Sequence, residues 1–136
     1  MRNLDIFNCA ALEVMHTSLE HFPKTASVDP NLIATRVKDY FTDGEDSDLT
    51  DRALFTTCHA TIKWLNQERF IIVEQELLSG VCRIVLTQKG LNALNSVPKF
   101  ADSERKSFGQ YFIEGIKPIP FSLMSNLMAD FFKSIS

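Results

Sequence analysis

Apolar residues in the first 22 positions recur at the spacing of one helix face: Phe7, Ala11, Met15, Leu19 and Phe22 lie four, four, four and three residues apart. Such spacing places them on one stripe facing a core, and Pro23 ends the run. A second helix is marked within "SVDPNLIATRVKDYF", where Asp29 is set as an N-cap and Pro30 as the first helical residue. Ile33, Val37 and Tyr40 or Phe41 form its buried face. Residues 42–51, "TDGEDSDLTD", break the pattern with five acids in ten positions and are too polar to pack, so they predict a loop. The helical period returns over residues 49–68, with Leu54, Cys58, Ile62 and Leu65 as the inward stripe. Arg52, Thr56, His59, Lys63 and Gln67 are left mostly on the outer side.

After Phe70 the pattern changes. "IIVEQEL" and "VCRIVL" are rich in β-branched residues and flank Ser79-Gly80, the residue types a tight hairpin turn needs. With Ser79 and Gly80 as the two central turn residues, Glu76 faces Arg83 across the ribbon and a cross-strand ion pair is expected. Thr87 then caps a further helix, "TQKGLNALNSV", which turns Leu91 and Leu94 inward and closes at Pro98. A short charged linker leads to a last helical pattern of Leu123 or Met124, Leu127 or Met128, Phe131 or Phe132, and Ile135. These elements predict an α+β chain, mostly α: three helices, a β-hairpin, a following helix and a C-terminal helical extension. Residues 1–98 form the domain, 99–107 the linker and 108–136 the apolar tail.

A length of 136 residues suits one domain plus a tail, and 45% hydrophobic with 23% charged residues excludes a disordered or fibrous chain. The formal charge of −3 supplies no general attraction to nucleic acid, so binding of that kind has to come from a local patch. Cys9, Cys58 and Cys82 are odd in number, widely spaced and set in apolar runs, which points to buried reduced thiols and a cytoplasmic protein. The first residues carry Asp5 and Glu13 inside their apolar stretch and read as a helix, not as a signal peptide. The longest uncharged run, residues 118–129, is too short to span a bilayer.

The order of three helices and a β-ribbon resembles the winged helix-turn-helix DNA-binding domains of bacterial transcription regulators. Residues carry the resemblance as well as order. Those domains often end their recognition helix with leucine, three variable residues, glycine, an apolar residue and isoleucine; here Leu65, Asn66, Gln67, Glu68, Arg69, Phe70 and Ile71 fill that run. Leu86, Thr87, Lys89 and Gly90 resemble the leucine-threonine-x-lysine-glycine start of the helix after the wing. One departure stands out: Arg69 occupies the glycine position, where a left-handed conformation that side chains resist is usual, so the sequence leaves open how this turn is built.

The resemblance implies that the third helix enters the major groove and the wing lies over the adjacent backbone. Arg52 and Lys63 are then candidates for phosphate or guanine edges, Thr56, Thr57 and Gln67 for bases, and Arg83 for a phosphate. Charge weighs against a strongly basic face: residues 1–98 hold nine bases against thirteen acids, and the ribbon itself carries Glu74 and Glu76 against Arg83. A non-catalytic protein-interaction or adaptor module on the same fold is therefore the alternative, resting on the acidic ribbon and the acidic loop.

Other chemistry is thin. Glu13, His16 and Glu20 share one helix face, but a carboxylate-bridged metal site in a bundle needs a second such motif and none exists, so no metal or other cofactor is expected. Cys58 beside His59 is not a catalytic pair, because neighbours on a helix point about 100° apart and Cys58 lies in the core stripe. Without a phosphate loop, serine elbow or paired carboxylates, the chain reads as no enzyme. Trp64 is expected to pack against the first helix or the tail. The apolar tail must be covered by its own domain, a second copy, another protein or a membrane surface. The resemblance favours a homodimer with Leu123, Leu127, Phe131 and Ile135 at the seam; a membrane surface suits it poorly, since Lys133 stands alone against Asp130.

Overall fold

A computed structural model describes residues 2–39, 50–95 and 121–133. Its elements run α1 (Arg2–His21), β1 (Ala26–Val28), α2 (Pro30–Lys38), α3 (Asp51–Gln67), β2 (Ile71–Glu76), β3 (Cys82–Leu86), α4 (Gln88–Asn95) and α5 (Phe121–Lys133). The architecture is α+β and mostly helical, with one antiparallel sheet in the order β1-β3-β2. Residues 40–49, with Tyr40, Phe41 and most of the acidic stretch, the linker and Pro98 lie outside the described residues, while Thr50 and Asp51 from the end of that stretch begin α3 instead of a loop.

Caps follow the chemistry of the sequence. Asp29 caps α2 by accepting from the Asn31 N–H at 2.9 Å, with Pro30 in the first turn. Thr50 caps α3 by accepting from the Ala53 N–H at 3.1 Å. Thr87 caps α4 by accepting from the Gly90 N–H at 3.0 Å. The inward stripe of α3 is as its spacing predicts: Leu54, Cys58, Ile62 and Leu65 are fully buried.

Helix α1 departs from the single stripe. Ala11 and Met15 are buried, but so are Ile6, Cys9, Ala10, Leu12 and Val14, while Phe22 is largely exposed. The reason is its central place: α2, α3, α5, β1 and β3 all pack on it, and a helix covered on every side buries its whole circumference. Strand β1 was not anticipated. Three residues are too few to show a period of two, and its pairing with β3, Ala26↔Ile84 to Val28↔Cys82, is made across more than 50 residues of chain.

The turn from α3 into β2 answers the question posed by Arg69. Its φ of 66° places an arginine in the left-handed conformation itself. The Phe70 N–H donates to the Leu65 carbonyl (2.9 Å) and the Arg69 N–H to the Asn66 carbonyl (3.1 Å), which is a Schellman closure with arginine where glycine is usual. The start of α4 holds this turn in place. Thr87 Oγ1 lies 2.5 Å from the Arg69 carbonyl oxygen and 3.0 Å from that of Phe70, and Lys89 Nζ donates to the Glu68 carbonyl at 2.7 Å. The same ammonium sits 4.8 Å above the Phe70 ring. Surrounding bonds thus offset a conformation that costs a side chain about 1–2 kcal/mol. Arg69→Gly is accordingly expected to raise stability by about 0.5–1 kcal/mol in urea unfolding, with the gain trimmed by the added freedom of glycine in the unfolded chain. A loss of stability would show that the arginine side chain itself supports the turn.

Candidate functional site

On α3 the exposed positions Arg52, Thr56, Lys63 and Gln67 share one face, four, seven and four residues apart. His59 lies within the same stripe. Among the described residues neither Arg52 nor Lys63 has an ion-pair partner, whereas Lys38 is paired with Asp51 (3.2 Å) and Arg36 with Glu13 (3.3 Å). The Thr56 hydroxyl donates to the Arg52 carbonyl at 2.9 Å, which leaves its oxygen lone pairs pointing outward as acceptors. Four of the six residues expected at a nucleic-acid surface are thus together.

The other two are elsewhere. Thr57 is half-buried on the flank of α3, lining a largely apolar recess of about 430 Å³ with Phe7, Ala60, Thr61 and Trp64. Arg83 is exposed on the sheet face opposite the core, between Ser27 on β1 and Gln75 on β2. The expected Glu76–Arg83 pair is corrected by the register: Arg83 stands across from Gln75, and Glu76 across from Cys82. Two local features cause the shift. The hairpin closes on a longer loop than Ser79-Gly80 alone, with the Gly80 N–H donating to the Leu77 carbonyl (2.9 Å) and Leu77 N–H to Val81 (2.8 Å), and Gly80 takes a φ of 97°. A bulge between Val73 and Gln75 then adds a residue to β2.

That bulge re-aims Glu76. Without it, residues 73 and 76 would point to opposite faces of the ribbon; with the extra residue both face α3. Glu76 Oε2 comes to 3.4 Å from His59 Nε2, and the fully buried Cys82 lies directly across the strand pair. One ligand atom from each of His59, Glu76 and Cys82 falls within 4.8 Å of the others. The His59 ring is fixed by stacking on Phe55, with centroids 5.9 Å apart and planes 3° from parallel. Its Nε2 is buried and makes no hydrogen bond, since the approach to Glu76 is not aligned for one. The Cys82 thiol donates to the Gly80 carbonyl at 3.4 Å; burial pushes its pKa up, Glu76 adds to the rise, and Lys63 opposes it. Helical spacing put His59 on the outer face, but no sequence signal linked it to Glu76 and Cys82, because the link depends on the bulge.

Elsewhere the geometry is that of packing. Cys58 is in the core with its thiol pKa pushed up to about 12 by burial, which keeps it protonated and unreactive. Glu13 pairs with Arg36 and His16 with Glu20 (3.7 Å), so that helical trio does not converge on a point. Trp64 packs edge-on to Phe7 and to Phe132, each at 5.2 Å, joining α3 to the first helix and the tail as expected. Leu127 and Phe131 of the self-association set are fully buried within the chain, on the side of α5 facing α1 and α4. The Leu123 side chain and Ile135 lie outside the described residues.

No protein-family model matches the chain, and no curated protein or solved structure matches it either. Among the described residues no helix is long and apolar enough to cross a membrane.

Proposed function

We propose that the chain is a winged helix-turn-helix module that binds double-stranded DNA and acts as an intracellular transcription regulator. The observation that carries this reading is the outward stripe Arg52, Thr56, Lys63 and Gln67 on α3. Its two cations are free of acidic partners among the described residues, and the hairpin follows α3 directly. The order α1-β1-α2-α3-β2-β3, with β1 added to the hairpin through β3, supports the winged form of the fold. Release of Arg83 from Glu76 supports it further, since the ribbon retains one exposed cation for a phosphate. Three free buried cysteines suit a reducing compartment.

Fluorescence anisotropy with mixed-sequence duplex DNA at low and moderate salt tests the reading. Arg52→Ala with Lys63→Ala is expected to weaken binding about tenfold to a hundredfold and to flatten the salt dependence by roughly two phosphate contacts. Absence of binding at low salt would remove DNA as the partner. A second reading, a protein-interaction module, is favoured by the hairpin tip, where Leu78 is fully exposed and Leu77 is partly so, next to the acidic Glu76 at the end of β2. On that reading α3 substitutions are silent, and Leu78→Ser abolishes partner capture.

A further inference from the structure

We propose that His59, Glu76 and Cys82 form a transition-metal site that pins the hairpin to α3, with zinc(II) as the ion their donors suit best. An imidazole nitrogen, a carboxylate oxygen and a thiol sulfur are the three ligand types that zinc accepts together, while hard calcium or magnesium sites exclude sulfur. Tetrahedral zinc with ordinary bond lengths sets nitrogen and oxygen donors ~3.4 Å apart and sulfur ~3.6 Å from either. His59 Nε2 and Glu76 Oε2 already stand 3.4 Å apart, and all three donor atoms fall within 4.8 Å of one another, so closure on a metal needs movements of about an ångström.

The surroundings fit a ligand set better than an ion pair. A histidine bonded to Glu76 would aim its Nε2–H at the carboxylate; here Nε2 is buried, at ion-pair distance, and without a hydrogen bond. Leaving such an atom unpaired is costly unless something else takes its lone pair. Phe55 fixes the ring, the bulge turns Glu76 inward, and Gly80 at φ 97° lets the hairpin tip approach Phe55, which an added Cβ would meet at 3.2 Å. The ligands come from both sides of the α3–hairpin groove, and the partly exposed His59 and Glu76 leave a fourth position open to water. Binding sends the Cys82 thiol proton to solvent, and with a neutral imidazole the two anionic ligands balance the dication. The site stands on its own geometry and does not depend on DNA binding.

The test titrates the full-length, chelator-treated chain with zinc against a chromophoric chelator, and with cobalt(II) as an optical probe. One zinc per chain is expected, and cobalt should give tetrahedral d–d bands with a thiolate-to-cobalt charge-transfer band that Cys82→Ser abolishes. His59→Gln and Glu76→Gln, both at partly exposed side chains whose loss leaves the core intact, should each weaken zinc about a hundredfold or more, beyond the loss typical of residues that only orient a ligand. Substoichiometric zinc, octahedral cobalt without charge transfer, or an affinity indifferent to His59→Gln and Glu76→Gln would overturn the site.

Discussion

Replacing Gly90 by alanine is expected to destabilise the chain by about 3 kcal/mol, although it adds a single methyl group to a helix. Gly90 lies in the first turn of α4, where the chain presses against the end of α3. A Cβ there would be driven into the Phe70 carbonyl and would lie 2.9 Å from Leu86 Cδ1. The leucine methyl can swing away; the carbonyl cannot. Its oxygen accepts from the Thr87 N–H (3.2 Å) and stands 3.0 Å from Thr87 Oγ1, so backing off breaks the bonds that secure the left-handed turn at Arg69. Alanine is ordinarily the better helix former, which makes the sign of the effect diagnostic. Thermal unfolding should show a midpoint lowered by roughly 10 °C, and a loss below about 1 kcal/mol would mean that α4 shifts freely on the turn.

This contact explains why a five-residue stretch of the sequence was informative. Leu86, Thr87, Lys89 and Gly90 each have a task at one junction: Leu86 in the core, Thr87 as cap and clamp, Lys89 on the last carbonyls of α3, and Gly90 as the point of closest approach. Local rules of this kind are legible, as were the caps at Asp29 and Thr87 and the inward stripe of α3, because each depends on residues within a turn or two of chain. What escaped depends on distant partners or on a broken period. Strand β1 exists only because β3 accepts it. The all-round burial of α1 depends on α5 returning to cover it.

The hairpin shows the second kind of failure. Alternation along β2 and β3 located the strands, but a single extra residue at the bulge shifts every later side chain to the other face. Reading the ribbon with a two-residue turn paired Glu76 with Arg83 and made the hairpin look electrostatically closed. The observed register separates them: Arg83 is left exposed on the outer face, and Glu76 turns to His59 and Cys82. Two local irregularities therefore change two conclusions: the longer hairpin loop parts Arg83 from Glu76, and the bulge turns Glu76 toward His59 and Cys82, gathering three donor atoms that the sequence had kept apart.

Phe131→Ala is expected to be the costliest side-chain truncation, at about 4 kcal/mol, and it also decides what the apolar tail covers. Phe131 is fully buried and packs on Phe70 with centroids 5.5 Å apart and on Phe132 at 5.3 Å. Phe132 in turn meets Phe7 at 5.7 Å and Phe70 at 5.4 Å, so α5 completes an aromatic cluster whose other members come from α1, α3 and the turn held by Thr87. Removing the ring leaves a cavity bounded by elements that cannot collapse without disturbing α1, the centre of the core. Because these contacts lie within one chain, the loss should be the same at every protein concentration, and the solution mass should not change. Self-association through Leu123, Leu127, Phe131 and Ile135 makes the opposite forecast: a mass that halves on substitution, and a stability deficit that depends on protein concentration. Sedimentation of the wild type and of Phe131→Ala, with unfolding at two concentrations, separates the two. A concentration-independent loss near 4 kcal/mol would make α5 part of the domain, and would leave any dimer to form through another surface.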